Sequence, residues 1–165
     1  MLEEKSGPWW KGERGEWLVV AQVALFALVV LGPRTVPALP AWGGAVALVA
    51  TVLGLALMIA GAALSVAGVL RLGPNLTPLP YPKDCSELIE AGAYATVRHP
   101  IYSGLILGAF GWGLWVHGGL TLVWAACLFL FFDMKSRLEE RWLAEKFPGY
   151  AECRTRVKKL IPWVY

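Results

Sequence analysis

The sequence predicts an all-α protein: a polytopic membrane helix bundle of four transmembrane helices with a cytoplasmic C-terminal helical extension. Of its 165 residues, 57% are hydrophobic and only 16% are charged, which is typical of membrane proteins. The apolar residues form long blocks instead of the alternating patterns of soluble elements. Lysine and arginine are also spread unequally over the connections between these blocks. We therefore expect a single integral membrane domain over 1–165.

The first two membrane helices are predicted within 17–70, after a polar leader at 1–16 whose tryptophans suit the headgroup region. The charges of this leader argue against a signal peptide. The first apolar block, 17–31, is about 22 Å long, and the second, 42–70, is long enough to span with tilt. Small residues recur along the second block at spacings of three, four and seven, which predicts close packing on another helix. They are Ala47, Thr51, Gly54, Gly61, Ser65 and Gly68.

A helical hairpin is predicted next along the chain. Pro100 begins the third helix, because its fixed φ and missing N–H suit the first helical position. The turn at 117–119 is too short for anything but antiparallel neighbours, so the fourth helix returns across the membrane over 120–132. It continues into water as one helix to 147, and a short helix is expected in the tail. The small residues of the third helix expected to allow close packing are Gly104, Gly108 and Gly111.

Basic residues orient this bundle. The leader has three, the 71–100 connection three and the tail eight, against one in the first outer loop and none in the second. By the positive-inside rule, both termini and the long connection are cytoplasmic, as in a multi-pass protein of a prokaryotic plasma (inner) membrane. The formal charge of +3 gives no indication of nucleic acid binding, and the three cysteines have no spacing typical of disulfides or zinc. No metal site is expected.

Side chains of opposite charge are expected to meet at the cytoplasmic end of the hairpin. Arg98 and His99 directly precede Pro100, and a helix start carries a partial positive charge that favours an anion. Glu139 and Glu140 follow the end of the apolar run by about 10 to 12 Å. Because the third and fourth helices are neighbours, these carboxylates can overhang Arg98 and His99, with the 71–97 connection available as a lid.

A second interpretation of the same residues is a solvated charged helix beside the membrane. Arg98 would then only set topology, His99 would be a rim residue, and Tyr94 and Tyr102 would be interfacial aromatics. The pairs that favour this interpretation have the three- or four-residue spacing of surface ion pairs. They are Lys135 with Glu139, Arg137 with Glu140, and Arg141 with Glu145.

The order of the motifs favours a functional site. The segment G-A-Y-x-x-V-R-H-P-I-Y-S-G from Gly92 to Gly104 is followed by a glycine-rich hairpin, E-E-R-W-L-x-x-K-F from Glu139, and L-I-P from Leu160. Together these motifs resemble the C-terminal half of the isoprenylcysteine carboxyl methyltransferase family, whose broader relatives include phospholipid N-methyltransferases. The resemblance covers roughly 75–162 and implies a cofactor-binding core within 71–162.

What the resemblance implies is an S-adenosylmethionine-dependent methyltransferase that acts on a lipidic or small hydrophobic acceptor. The acceptor atom is left open among carboxylate, amine and thiol. The catalytic candidates are Arg98, His99 and Tyr102, and the resemblance leaves open which residue, if any, acts as a base. The implied cofactor-binding residues are Tyr94, Arg98, His99, Pro100, Tyr102, Gly104, Glu139 and Glu140.

The chemistry of these residue types suits the cofactor. Arg98 with the helix start suits the carboxylate of S-adenosylmethionine, and Glu139 or Glu140 suits its ammonium or ribose. The chain departs from the family pattern at Ala93, Cys153 and Lys158, and it is shorter on its N-terminal side than the eukaryotic enzymes, so prenyl selection is not carried over. Two rival functions remain: a sterol-type membrane reductase that uses NADPH, and a non-catalytic membrane module for partner docking.

Overall fold

The computed structural model describes residues 14–37, 41–82, 88–162 and 164–165. Over these residues the secondary structure is helical, apart from one isolated parallel β-bridge between Val97 and Lys158. The all-α prediction is thus confirmed for the part of the chain that is described. A 3-10 turn at Gly73–Asn75 follows the second helix. The helices are α1 (Glu16–Leu31), α2 (Gly44–Leu72), α3 (Ala93–Thr96), α4 (Pro100–Trp115), α5 (Gly119–Lys146) and α6 (Tyr150–Arg156).

α1, α2, α4 and α5 begin and end within two residues of the predicted helices, whereas the short helix α3 was not predicted. α5 is one continuous helix of 28 residues, as its lack of internal proline and glycine predicted. Two segments, Gly44–Asn75 and Gly119–Lys146, are long and apolar enough to cross a membrane, and α1 is a shorter apolar helix of 16 residues. Most of the predicted leader, 1–13, and Trp163 in the predicted interfacial tail lie outside the described residues.

The small-residue stripe of α2 packs directly on α4. A Cβ placed at Gly54 would lie 2.6 Å from the carbonyl oxygen of Gly111, so the two backbones touch. Gly61 meets Gly104 in the same way, and the Ser65 hydroxyl donates a hydrogen bond to the carbonyl of Ile101 at 3.2 Å. The predicted close packing is therefore confirmed, with α4 as the partner.

Gly108 differs from the other small residues of α4. A Cβ built on Gly108 would have no neighbour within 4 Å, although its backbone nitrogen approaches Gly61. A side chain at this position would point into open space, so the α2–α4 contact does not require a glycine here. The prediction that Gly108 is one of the small residues needed for close helix packing is therefore wrong.

α1 packs mainly on α5 and touches α4. The buried core joins Val29 of α1, Ile106 of α4, and Leu128 and Phe132 of α5. The outward residues of the bundle are apolar as well; for example, Ile59 is 70% exposed and Val46 66%. An exposed apolar surface of this kind is suited to lipid contact.

The C-terminal tail returns to the start of α4. The backbone N–H of Arg98 donates to the carbonyl of Lys158 at 2.8 Å, and that of His99 to the carbonyl of Lys159 at 3.2 Å. These bonds hold the residues before Pro100 in an extended conformation against the tail. The bond at Lys158 uses its backbone carbonyl and not its side chain. The departure from the family pattern at Lys158 therefore leaves this pairing intact. The tail thereby fixes the position of Arg98 and His99 at one end of the bundle.

Candidate active site

A cavity of about 320 Å³ lies at the end of the bundle where α5 extends beyond its apolar segment. This volume falls within the range of small-molecule sites. Residues of α1, the end of α2, the connection that follows it, α3, α4, α5 and α6 contribute to it. Representative lining residues are Gln22, Asn75, Pro78, Tyr102, Glu139 and Tyr150.

Arg98 connects α5 to the tail beside this cavity. Its Nε donates to Glu140 Oε1 at 2.8 Å, and the two side chains are only 10% and 7% exposed. Its Nη1 donates to the carbonyl oxygens of Arg154, at 3.3 Å, and of Val157. The guanidinium of Arg98 is thus engaged by three acceptors of the protein itself, which makes it a buried structural connection.

His99 and Tyr102 hold the carboxylate of Glu139 towards the cavity. The Tyr102 hydroxyl donates to Glu139 Oε2 at 2.9 Å. His99 is 6% exposed; its Nδ1 lies 3.7 Å from Glu139 and its Nε2 lies 3.2 Å from Glu140. The rings of His99 and Tyr102 stack with centroids 5.4 Å apart at 6°. Glu139 retains 25% exposure of its side chain, so part of this carboxylate can accept further hydrogen bonds.

Two phenols complete the polar lining of the cavity. Tyr150 is 3% exposed, and among the described residues its hydroxyl has no hydrogen-bond partner. Burial, then the charge of Glu140, raises the pKa of Tyr150 well above its usual range. Burial, then the charge of Glu139, likewise raises the pKa of Tyr94. Both phenols are therefore protonated at neutral pH and can serve as hydrogen-bond donors.

The structure divides the eight predicted cofactor residues into two groups. Glu140 is bound by Arg98 and His99 and does not line the cavity. Gly104 lies in the α2 contact beside Ser65, and Pro100 packs near Gly68, so these two residues also belong to the scaffold. These three of the eight predicted residues therefore do not line this cavity. Those that do line the cavity are Tyr94, Arg98, His99, Tyr102 and Glu139.

The solvated-helix interpretation is wrong for the inner face of α5. Lys135 is 1% exposed and Glu140 5%. Arg137 pairs with Asp133 at 2.8 Å instead of the Glu140 expected from the spacing. Burial on this face arises because α1, α4 and the tail cover it, which helix spacing alone cannot reveal.

Among the lining residues that sequence reasoning missed are Gln22, Lys135 and Tyr150. A signal for Gln22 was present, because it is the one polar residue among the apolar residues 17–31, and polar residues within membrane helices are frequently functional. Lys135 resembled a topology-setting lysine at a membrane boundary. Tyr150 gave no signal beyond its place in the tail motif.

The described residues form a helical bundle with an apolar surface and a partly polar cavity at one end. The fold matches the solved eukaryotic intramembrane Ras methyltransferase, isoprenylcysteine carboxyl methyltransferase, with a TM-score of 0.63 and 21% identity. That match covers 90% of this chain and 52% of the other. Residues 49–149 match the family described as phospholipid methyltransferase. The chain belongs to this family of isoprenylcysteine carboxyl methyltransferase-like and phospholipid methyltransferase-like proteins, as its motifs predicted.

Two curated proteins show the same relationship in sequence. The protein-S-isoprenylcysteine O-methyltransferase of Saccharomyces cerevisiae is 32% identical over 118 residues, 69% of this chain and 49% of that protein. The cobalt-zinc-cadmium resistance protein CzcN of Cupriavidus metallidurans is 33% identical over 78 residues, 47% of this chain and 36% of that protein. The chain thus spans about a third to a half of the length of these relatives. Because these two relatives carry different names, the activity of this chain has to be inferred from its own cavity.

Proposed function

We propose that this protein is an S-adenosylmethionine-dependent methyltransferase of the membrane that acts on a lipidic or small hydrophobic acceptor. The observation that carries the proposal is the cavity at the end of the bundle. It combines the partly free carboxylate of Glu139 with the hydroxyl of Tyr150, which has no partner in the described part of the chain, among apolar side chains. Membership of the family supports the same reaction class.

The cavity residues fit the chemical groups of the cofactor. The carboxylate of Glu139 suits an ammonium or ribose hydroxyls, and the Tyr150 hydroxyl is a buried donor that a ligand acceptor would satisfy. Leu143 and Phe147 add apolar surface suited to a purine ring. When bound, S-adenosylmethionine supplies an electrophilic methyl group on its sulfonium.

Within this proposal the residues of the chain act mainly by positioning. Methyl transfer depends on alignment of donor and acceptor more than on a strong catalytic group. The stacked rings of His99 and Tyr102 fix Glu139, and the Arg98–Glu140 pair fixes the wall behind them. The phenols of Tyr94 and Tyr150 are protonated and therefore serve as donors rather than as bases.

A lipidic acceptor is supported by a second, apolar cavity on the side of the bundle. It lies between α1, α2 and α4, and among its lining residues are Phe26, Met58 and Gly108. Leu105 lines both cavities, so they adjoin. A hydrocarbon chain in the side cavity would bring its polar end to the cavity that contains Glu139. The open space beside Gly108 belongs to this side cavity, which is also called the side groove below.

The membrane arrangement is part of the same proposal. α1, α2, α4 and α5 are the four spans, and both termini are cytoplasmic in a prokaryotic plasma membrane. The whole of 1–165 then forms one domain, with 71–162 as its cofactor-binding core. The cavity would open on the cytoplasmic side, where S-adenosylmethionine is present.

Ligand-induced thermal stabilisation tests the cofactor. S-adenosylhomocysteine should raise the melting temperature of the purified protein, and NADPH should not. Glu139→Gln should reduce this shift. Glu145→Gln, at an exposed position of the same helix, is the matched control and should retain it. A shift with NADPH alone would support the reductase, and no shift with either ligand in folded protein would support the non-catalytic module.

A further inference from the structure

Lys135 is a buried cation with no carboxylate of the described residues in direct contact with it; Glu139, one turn further along α5, acts on it only through the field of its charge. Its residue is 1% exposed, and its Nζ donates to Gln22 Oε1 at 2.6 Å and to the carbonyl of Pro78 at 3.1 Å. Both acceptors are neutral. The described residues offer it no ion pair, in contrast to Lys159, which pairs with Asp133. A buried ammonium whose direct hydrogen-bond partners are all neutral is costly, so its presence beside the cavity calls for an explanation.

The geometry leaves Lys135 able to bind one more acceptor. An ammonium has three N–H donors, and two are used by Gln22 and Pro78. The Nζ also lies 5.4 Å from the centroid of the Tyr102 ring. Lys135, Gln22 and Tyr102 all line the main cavity, so the remaining donor is available to a ligand there.

Lys135 lies at the membrane end of the cavity. Along α5 it precedes Leu143, another lining residue, by eight positions, which is about 12 Å. Gln22 reaches it from the apolar helix α1, and Leu105, which joins the main cavity to the side groove, lies at this end on α4. Tyr150 and Phe147 lie beyond Leu143, towards the tail. An acceptor whose chain occupies the groove would present its head group to Lys135.

From this geometry we propose that Lys135, oriented by Gln22, binds an anionic head group of the methyl acceptor and selects anionic over neutral amphiphiles. The inference rests on the proposed function and adds the charge of the acceptor to it. An ammonium acts as a point charge, so carboxylate and phosphate head groups meet the same requirement. Arg98 is occupied by Glu140 and two carbonyls, whereas among the described residues the Lys135 ammonium has two acceptors for its three donors.

The test compares matched amphiphiles in protein reconstituted in zwitterionic phosphatidylcholine nanodiscs and saturated with S-adenosylhomocysteine. N-dodecanoylglycine and dodecyl phosphate carry the two anions, and N-dodecanoylglycinamide is the neutral control. Dissociation constants are measured by calorimetry for wild type, Lys135→Met and Lys135→Arg. Wild type should bind at least one anionic probe about ten- to a hundred-fold more tightly than the amide, as a charge-assisted hydrogen bond implies.

In Lys135→Met this preference should fall to about one, and Lys135→Arg should retain part of it. A purely structural lysine would lower the melting temperature of Lys135→Met without changing the ratio of the dissociation constants, and that result would overturn the proposal. Loss of S-adenosylhomocysteine binding with an unchanged ratio would assign Lys135 to the cofactor instead. If Lys135→Met does not fold, wild type still decides: equal binding of all three probes refutes the inference.

The two proposals can fail separately. Wild type that binds no S-adenosylhomocysteine contradicts the methyltransferase proposal. Wild type that binds it but shows no preference for an anionic probe contradicts only the role of Lys135.

Discussion

Replacing Tyr150 by phenylalanine should raise the stability of the ligand-free protein and weaken cofactor binding at the same time. The Tyr150 hydroxyl is buried in a residue that is 3% exposed, and it has no partner among the described residues. An unsatisfied buried polar group costs about 1 to 3 kcal/mol. Its removal therefore relieves the folded protein of an unfavourable group, while the ring continues to fill its place.

The effect on binding has the opposite sign. If the hydroxyl donates to the bound cofactor, its loss removes one hydrogen bond with a net value of about 0.5 to 1.5 kcal/mol, or about 2- to 10-fold in affinity. Calorimetric titration with S-adenosylhomocysteine measures this change, and thermal denaturation without ligand measures stability. The combination of higher stability and lower affinity identifies a hydroxyl kept for a ligand.

Tyr165→Phe is the matched control, because its hydroxyl has partners within the protein. It donates to Asp133 at 2.8 Å and accepts from Lys159 at 3.1 Å. Tyr165→Phe should therefore lose about 1 kcal/mol of stability and leave S-adenosylhomocysteine affinity unchanged. Unchanged affinity in Tyr150→Phe, or a loss of stability as large as that of Tyr165→Phe, would refute the reasoning about Tyr150.

Three further predictions concern the scaffold and the topology. Arg98→Ala should lower unfolding stability by about 1.5 to 3 kcal/mol, because it removes a charge-assisted hydrogen bond from a buried carboxylate that keeps His99 and Arg154 beside it; a denaturation midpoint like that of wild type would contradict this. Gly104→Leu should prevent the α2–α4 contact and abolish folded protein in size-exclusion chromatography, whereas Gly108→Leu should fold, because its Cβ position is open. A thiol reagent applied to intact cells should label Arg34→Cys but not Glu145→Cys, and the reverse pattern would invert the proposed topology.

The Arg98 prediction shows how the structure changed an expectation from sequence. From sequence, Arg98 and Glu140 are both expected to bind the cofactor. The structure places both side chains in one buried pair at 2.8 Å, so the first effect of replacing either should be on stability. The expectation for Glu139 stands, because its carboxylate faces the cavity.

The sequence by itself determined the helices and their order. Blocks of apolar residues, Pro100 at a helix start and the short turn before α5 depend on local chemistry, and the observed bounds of α1, α2, α4 and α5 follow them within two residues. The small-residue stripe of α2 also predicted a close helix contact, since only small side chains let two backbones touch. The hairpin then required Arg98, His99 and the two glutamates to lie at one end.

Only the tertiary structure decided which of these side chains face the cavity. Glu139 and Glu140 are adjacent in sequence, but successive residues of a helix differ in direction by about 100°, so one faces the cavity and the other faces Arg98. Spacing cannot identify which is which, because the answer depends on where α1, α4 and the tail pack. The same holds for Lys135: the contact with Gln22 joins residues 113 positions apart, and packing across that separation turned an apparent surface lysine into a buried cation.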